Sequence, residues 1–223
     1  MRRIIAPLIL GVLGFAILVG LGVWQLQRLE WKQAMLDEIQ QGIDAAPIAL
    51  PTAVDPSMKY LPVQVAGQTT GDEVLVLSGT KAGGGGYNVI SGFVTDDGRR
   101  IMIDRGFVPQ DAHRISRPPT RLIVTGNLHW PQDKSASTPA PNLTEGVWFA
   151  RDVPAMAAAL KTEPVLVVAS FVQGDAQGAE PIPISIDNIP NNHLGYAVQW
   201  FLLALVWAGM TAGLIWRITQ RRF

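Results

Sequence analysis

Two long apolar runs bracket a segment in which apolar and polar positions alternate. Residues 4–25 and residues 194–216 contain no Asp, Glu, Lys or Arg over 22 and 23 positions. As helices, at about 1.5 Å per residue, each reaches roughly 33–35 Å, enough to cross a hydrocarbon core of about 30 Å. Core helices of soluble proteins rarely stay apolar for so long, so the pattern predicts one transmembrane helix towards each end. The first run is longer than the apolar part of a signal peptide, and Trp24-Gln25-Leu26-Gln27-Arg28 offers no small-x-small cleavage site. A retained anchor is expected, with Arg2-Arg3 as a topology charge rather than a twin-arginine export signal. The helix is expected to continue through residues 26–41, with Trp24 and Trp31 on one face near the interface.

Residues 45–56 break any period with Pro47, Pro51 and Pro56. Beyond them the rhythm predicts strands at residues 60–67, 73–77, 87–95, 100–108, 121–130, 164–173 and 183–186. Asp96-Asp97-Gly98 is a hairpin signal between the third and fourth. Residues 151–161 read as a short helix, with Asp152 as N-cap and Pro154 in the first turn. Residues 133–141 and 173–181 read as loops. The expected fold is therefore a membrane protein with two transmembrane α-helices flanking an α+β outer domain. An antiparallel β-sheet, curled towards a barrel, dominates that domain.

Charge sets the orientation. Arg2, Arg3, Arg217, Arg221 and Arg222 put five of the 18 basic residues in tails without acids, leaving 13 against 18 acids, net −5, for residues 26–216. The positive-inside rule then predicts cytoplasmic tails at 1–3 and 217–223, spans at 4–25 and 193–216, and a periplasmic domain at 26–192. Arg28 and Lys32 mildly oppose this, but Glu30, Asp37 and Glu38 lie close by. An acidic domain argues against a nucleic-acid partner. The absence of cysteine excludes disulfides, thiol catalysis, CxxCH haem attachment and Cys-based copper transfer. With no Arg/Ser-rich transit segment ahead of the anchor, a bacterial inner membrane is the expected setting.

Catalytic motifs do not emerge. The glycines at 83–86 lack the Gly-Lys-Ser/Thr and following helix of a phosphate loop, and read as a hairpin entry. No G-x-S-x-G, H-E-x-x-H or S-x-x-K occurs. The expectation is a protein that is not an enzyme.

Three constellations remain: Gly22-x-Trp24-Gln25-x-x-Arg28-x-x-Trp31-Lys32 at the end of the first span; Ile103-Asp104-Arg105-Gly106-Phe107-Val108-Pro109, read as a strand running into a turn; and Pro190-Asn191-Asn192-His193-Leu194-Gly195-Tyr196-Ala197-x-Gln199-Trp200-Phe201 at the start of the second. In this order, between terminal anchors, they resemble the Surfeit-locus (Surf/Shy) family of cytochrome c oxidase assembly factors. The resemblance covers the whole chain; Phe107 stands where the family often has Trp. It implies a non-catalytic role in building haem-copper oxidase, with haem a bound and passed to the catalytic subunit. The catalytic subunit is then the expected partner, with the haem a-synthesising enzyme and membrane lipid as further ones. A scaffold that binds no haem is the alternative.

On a helical wheel with His193 at 0°, Tyr196, Trp200, Leu203 and Trp207 fall between about 280° and 340°. On the first span Gly11, Gly14, Leu18, Gly22 and Gln25 also share a face. This arrangement allows helix–helix packing with an interfacial aromatic belt, or a groove for a flat ligand. With the resemblance added, the expected haem a site is His193 as axial iron ligand, with Tyr196, Trp200, Trp24, Gln25, Arg105 and Arg28 around the macrocycle. Arg105 has two readings: an ion pair with Asp104 or a neighbouring acid, or a contact with a haem propionate or the partner. Arg28 could make the same contact. Asn191 and Asn192 are expected to cap the second helix, His113 to be solvated, and His129 to be packed or hydrogen-bonded.

Overall fold

The computed structural model describes residues 2–80, 84–112, 115–187 and 189–220. The order is α1 (Arg2–Asp44), β1 (Ile48–Ala49), a 3-10 turn (Pro56–Met58), β2 (Pro62–Thr80), β3 (Gly84–Thr95), β4 (Arg100–Pro109), β5 (Arg121–Leu128), β6 (Val147–Trp148), α2 (Val153–Leu160), β7 (Leu166–Gly174) and α3 (His193–Gln220). The chain forms two compact units, one of residues 1–38 with 186–223 and one of residues 39–185. It is a two-span membrane protein carrying an α+β domain: α1 and α3 are long and apolar enough to cross a bilayer, and their apolar windows are 6% buried.

In the helical unit, α1 is one helix of 43 residues, about 65 Å long, running past the first span as expected. It packs antiparallel to α3 along a seam of small residues. Gly11 and Gly22 are buried on α1, and Ala197 and Ala204 are 1% and 2% exposed on α3. A Cβ on Gly11 would lie 2.1 Å from Thr211 Cγ2, one on Gly14 2.5 Å from the Trp207 ring, and one on Gly22 2.6 Å from the Phe201 ring. Each glycine admits a side chain of the other helix. In hydrocarbon, where apolar burial gives little drive to association, such close packing supplies much of the attraction.

The β unit is a closed barrel. β2 pairs with β3, β3 with β4, β4 with β7, β7 with β5, and β5 returns to β2. All these pairings are antiparallel except β4–β7. The 19-residue β2 makes closure possible: its first half, residues 62–68, pairs with β5, and beyond an irregularity between Thr69 and Glu73 its second half runs only beside β3 and β6. The two strands expected at 60–67 and 73–77 are thus one bent strand. Residues 183–186 form no strand; the segment before them makes a single bridge, Phe107 with Glu180.

Alternation sorts the side chains into two cores. Val63, Val65, Phe93, Ile101, Ile103, Leu122, Val124 and Val167 fill the barrel. Val74, Val76, Ile90, Met102 and Val168 face the other way and take up Val153, Met156 and Leu160 of α2. Asp152 caps α2 as expected, its carboxylate accepting from Ala155 N at 3.3 Å. The last turn of α1 is held within this unit too, since Asn127 Nδ2 donates to the Ile43 carbonyl at 3.0 Å.

Candidate functional site

The third motif opens α3, and its first residue bridges the helices. His193 Nδ1 lies 2.8 Å from Gln25 Oε1. With the amide oxygen facing it, Nδ1 carries the proton, and the lone pair on Nε2 is the one left for a ligand. His193 is half-buried, so the imidazole is oriented without being enclosed. A second polar tie is set deeper in the pair, where the Trp207 indole N–H donates to the Gly11 carbonyl at 3.0 Å.

The other expected residues fall into three groups. Tyr196 is 51% exposed and Trp200 half-buried, on the flank of α3 beside the seam. Trp24 is 50% exposed, and Arg28 stacks over Trp31 at 4.5 Å from the ring centroid. Trp24 and Arg28 lie within one turn of Gln25, and among the described residues neither is hydrogen-bonded to His193. The glycine face of α1 does not form an open slot: Phe201 and Trp207 occupy it. Of the two ways to use that face, helix–helix packing is the one observed.

Arg105 departs from both of its expected roles. It belongs to the β unit, is 1% exposed, and donates to the Ala176 carbonyl at 2.7 Å and to Gln177 Oε1 at 3.1 Å. It does not pair with Asp104, because consecutive strand residues face opposite ways. Asp104 points towards α2, accepting from Asn88 Nδ2 at 3.1 Å and from Gly106 N at 3.1 Å, with Arg151 at 4.0 Å. Burial raises the Asp104 carboxyl above the ordinary carboxylate range, with the Asn88 bonds pulling the other way. The motif runs into a turn as expected, but only at Pro109, whose carbonyl accepts from Ala112 N at 3.0 Å. Gly106 has φ +107°, and a Cβ there would meet the Glu180 carbonyl oxygen at 1.9 Å. The strand continues to Pro109 while Phe107 exchanges backbone bonds with Glu180 at 2.7 and 2.9 Å.

Among the remaining candidates, Asn192 starts α3 through its carbonyl, which accepts from Tyr196 N at 3.2 Å. Asn191 Oδ1 is buried without a hydrogen-bond partner among the described residues, so the expected side-chain cap is not its role. His113 lies outside the described residues. His129 packs against Tyr60, ring centroids 5.7 Å apart, and its Nδ1 has no partner among the described residues. Burial, with Arg151 and Lys59 adding to it, brings its pKa down to about 4. Sequence reasoning named Gln25 and His193 separately and missed their bond. It also missed the Phe201 and Trp207 contacts, although the glycine spacing on α1 was the available signal.

Known proteins with this pattern extend the comparison to nearly the whole chain. The model of the SURF1 family matches residues 12–205. Surfeit locus protein 1 of Homo sapiens is 30% identical over 216 residues, covering 83% of this chain and 69% of that protein. The protein of the same name from Takifugu rubripes is 29% identical, over 82% of this chain and 85% of its own. A SURF1-like protein of Rickettsia felis is 29% identical, over 86% and 88%. The matched span holds both helix motifs, the His193–Gln25 bridge and the entire barrel: the chain belongs to the SURF1 family.

Proposed function

We propose that the protein is a non-catalytic assembly factor for a haem-copper oxidase, cytochrome c- or quinol-oxidising, which holds haem a for insertion into the catalytic subunit. The observation that carries this reading is the bond between His193 Nδ1 and Gln25 Oε1, 2.8 Å long, at the start of α3. A histidine held by its Nδ1–H and offering Nε2 is the usual arrangement of an iron-ligating imidazole. Gln25 orients the ring, and the two helices must pair for it to do so.

The residues fit haem a in a particular way. Phe201 and Trp207 fill the glycine seam, so the flank of α3 that carries Tyr196 and Trp200 beside His193 offers the flat aromatic wall instead. Trp24 and Arg28 lie within one turn of Gln25 on α1; Arg28 is exposed and offers a guanidinium to a carboxylate. Bound there, haem a would supply the iron porphyrin that the client oxidase requires. Arg105, enclosed in the barrel, is left out of this set. The setting proposed is a bacterial inner membrane, with both termini cytoplasmic and the barrel periplasmic, on the strength of the arginine-rich tails.

Purification of wild type and His193→Ala from cells that make haem a tests the reading. Wild type should carry the haem a absorbance and the variant should lose most of it. Equal haem content in both would remove His193 from the site. Absence of haem from both would favour the scaffold alternative, which the filled glycine seam already suits.

A further inference from the structure

The barrel interior is apolar for most of its length and turns polar at one end. Glu73 pairs directly with Ser91, and Ser91 with Ile103, so the three side chains share the interior face. Arg105 lies two residues beyond Ile103 on β4 and projects to the same side. Arg117 enters from the loop before β5, donating to Glu73 Oε1 at 2.9 Å, the Ala112 carbonyl at 3.0 Å and the Ile115 carbonyl at 3.3 Å. All but Glu73 are closed off from solvent: Arg105 is 1% exposed, Ser91 2%, and the Arg117 side chain 1%, against 20% for Glu73.

Charge does not balance there. Two guanidinium groups are enclosed, and Glu73 is the one described carboxylate within ion-pair distance of either. Asp175, the next acid acting on Arg105, is exposed on the loop and accepts from the Gln177 N–H at 2.9 Å. Arginine is seldom fully buried without an ionic partner, because an uncompensated charge in a low dielectric is unfavourable. Hydrogen bonding is unbalanced in the same sense. Arg105 Nε, Arg117 Nε and Ser91 Oγ are all buried and have no partner among the described residues. Among the described residues, three buried groups able to donate and a net charge of +1 call for an acceptor carrying one negative charge.

We propose that this end of the barrel binds a small monovalent anion, chloride by size and charge, between Arg105, Arg117 and the Ser91 hydroxyl. Enclosure decides the class. A carboxylate carried on a side chain or a lipid would need an opening that side chains only 1–2% exposed do not provide, and a phosphate dianion would reverse the imbalance. Arg105 then acts as a binding residue within the barrel, and the site stands independently of any haem at His193.

Heat unfolding of the full-length protein in detergent, at fixed ionic strength, tests this as chloride replaces methanesulfonate. A saturable rise of the midpoint with chloride is expected, reproduced by bromide. Ser91→Ala should weaken the apparent affinity about tenfold, as expected for a lost hydrogen bond to a charged group. Arg105→Gln should abolish the rise. The same midpoint in both salts for wild type would overturn the proposal, as would an unchanged chloride response in Arg105→Gln. A rise with inorganic phosphate but none with chloride would overturn the monovalent assignment. Should Arg105→Gln fail to fold, crystals grown in bromide decide: an anomalous peak between the two Nε atoms supports the site, and its absence sinks it.

Discussion

Asp104 and Arg105 are neighbours in the chain and serve opposite faces of one strand. Read as a pair, they invite an ion pair; read with the period of two, they separate, Asp104 to Asn88 and Arg151, Arg105 to the barrel end. The period was legible in Ile101 and Ile103, both inside the barrel, whereas adjacency of opposite charges alone points to an ion pair. His193 and Gln25 show the converse. Each stood out in its own motif, yet 168 positions separate them and no local pattern registers one helix against the other. Their bond makes a definite prediction. Gln25→Leu keeps His193 but removes the acceptor of its Nδ1–H, so under the proposed function the affinity for haem a should fall roughly 10–100-fold, the usual cost of losing such an orienting partner. Titration of purified apoprotein with haem a measures it; unchanged affinity would mean that the bond serves helix packing alone.

At the scale of elements, composition and period were enough to locate both long helices, α2 with its cap, and most strands. The failures have one cause, which is that strand ends and strand use depend on partners. β2 is one strand because β3 accompanies its length from Gly67 to Thr80, across the irregularity that looked like a break. Residues 183–186 have β-forming side chains, but no ladder takes them up. For the helix pair, the contact of Gly11 with Thr211 fixes an antiparallel register that is open to direct test. The chain contains no cysteine, so Gly11→Cys with Thr211→Cys adds a single isolated pair. The Gly11 Cβ position lies 3.0 Å from Thr211 Cβ, close to the roughly 3.5–4.5 Å of a disulfide. Oxidation should give an intramolecular cross-link visible as a gel shift after proteolysis of the connecting domain. A pair displaced by one residue, about 100° round the helix, Val12→Cys with Thr211→Cys, should give little.

For the whole molecule, stability should depend on acid through His129. Its folded pKa, about 4, lies below its ordinary value of 6.5, so the fold favours the neutral ring. The associated stability is present above pH 6.5 and is lost as pH falls towards 4; that gap corresponds to roughly 3 kcal/mol. Asp104 acts with the opposite sign. Its raised carboxyl favours the protonated form in the fold, so its contribution is present below 3.8 and lost as pH rises through the folded value. Between pH 6.5 and 4 the two contributions oppose each other, so the His129 part is read from the difference between wild type and His129→Gln. In denaturant unfolding of the full chain in detergent, the stability of wild type relative to His129→Gln should fall as pH drops from 6.5 towards 4. An unchanged slope in that variant would assign the acid sensitivity elsewhere.

The closing of the barrel by β7, which sits between β4 and β5, has a consequence for biosynthesis. A ring whose strands join residues as distant as Pro62 and Asn127 closes slowly, and not before Gly174 has been made. His193 follows nineteen residues later. At about 5–20 residues per second, translation covers that interval in roughly 1–4 seconds. The last barrel strand is therefore complete only a few seconds before the first residue of α3 is made. Until β7 pairs with them the edges of β4 and β5 stay open, and α1 is the one long apolar helix yet made.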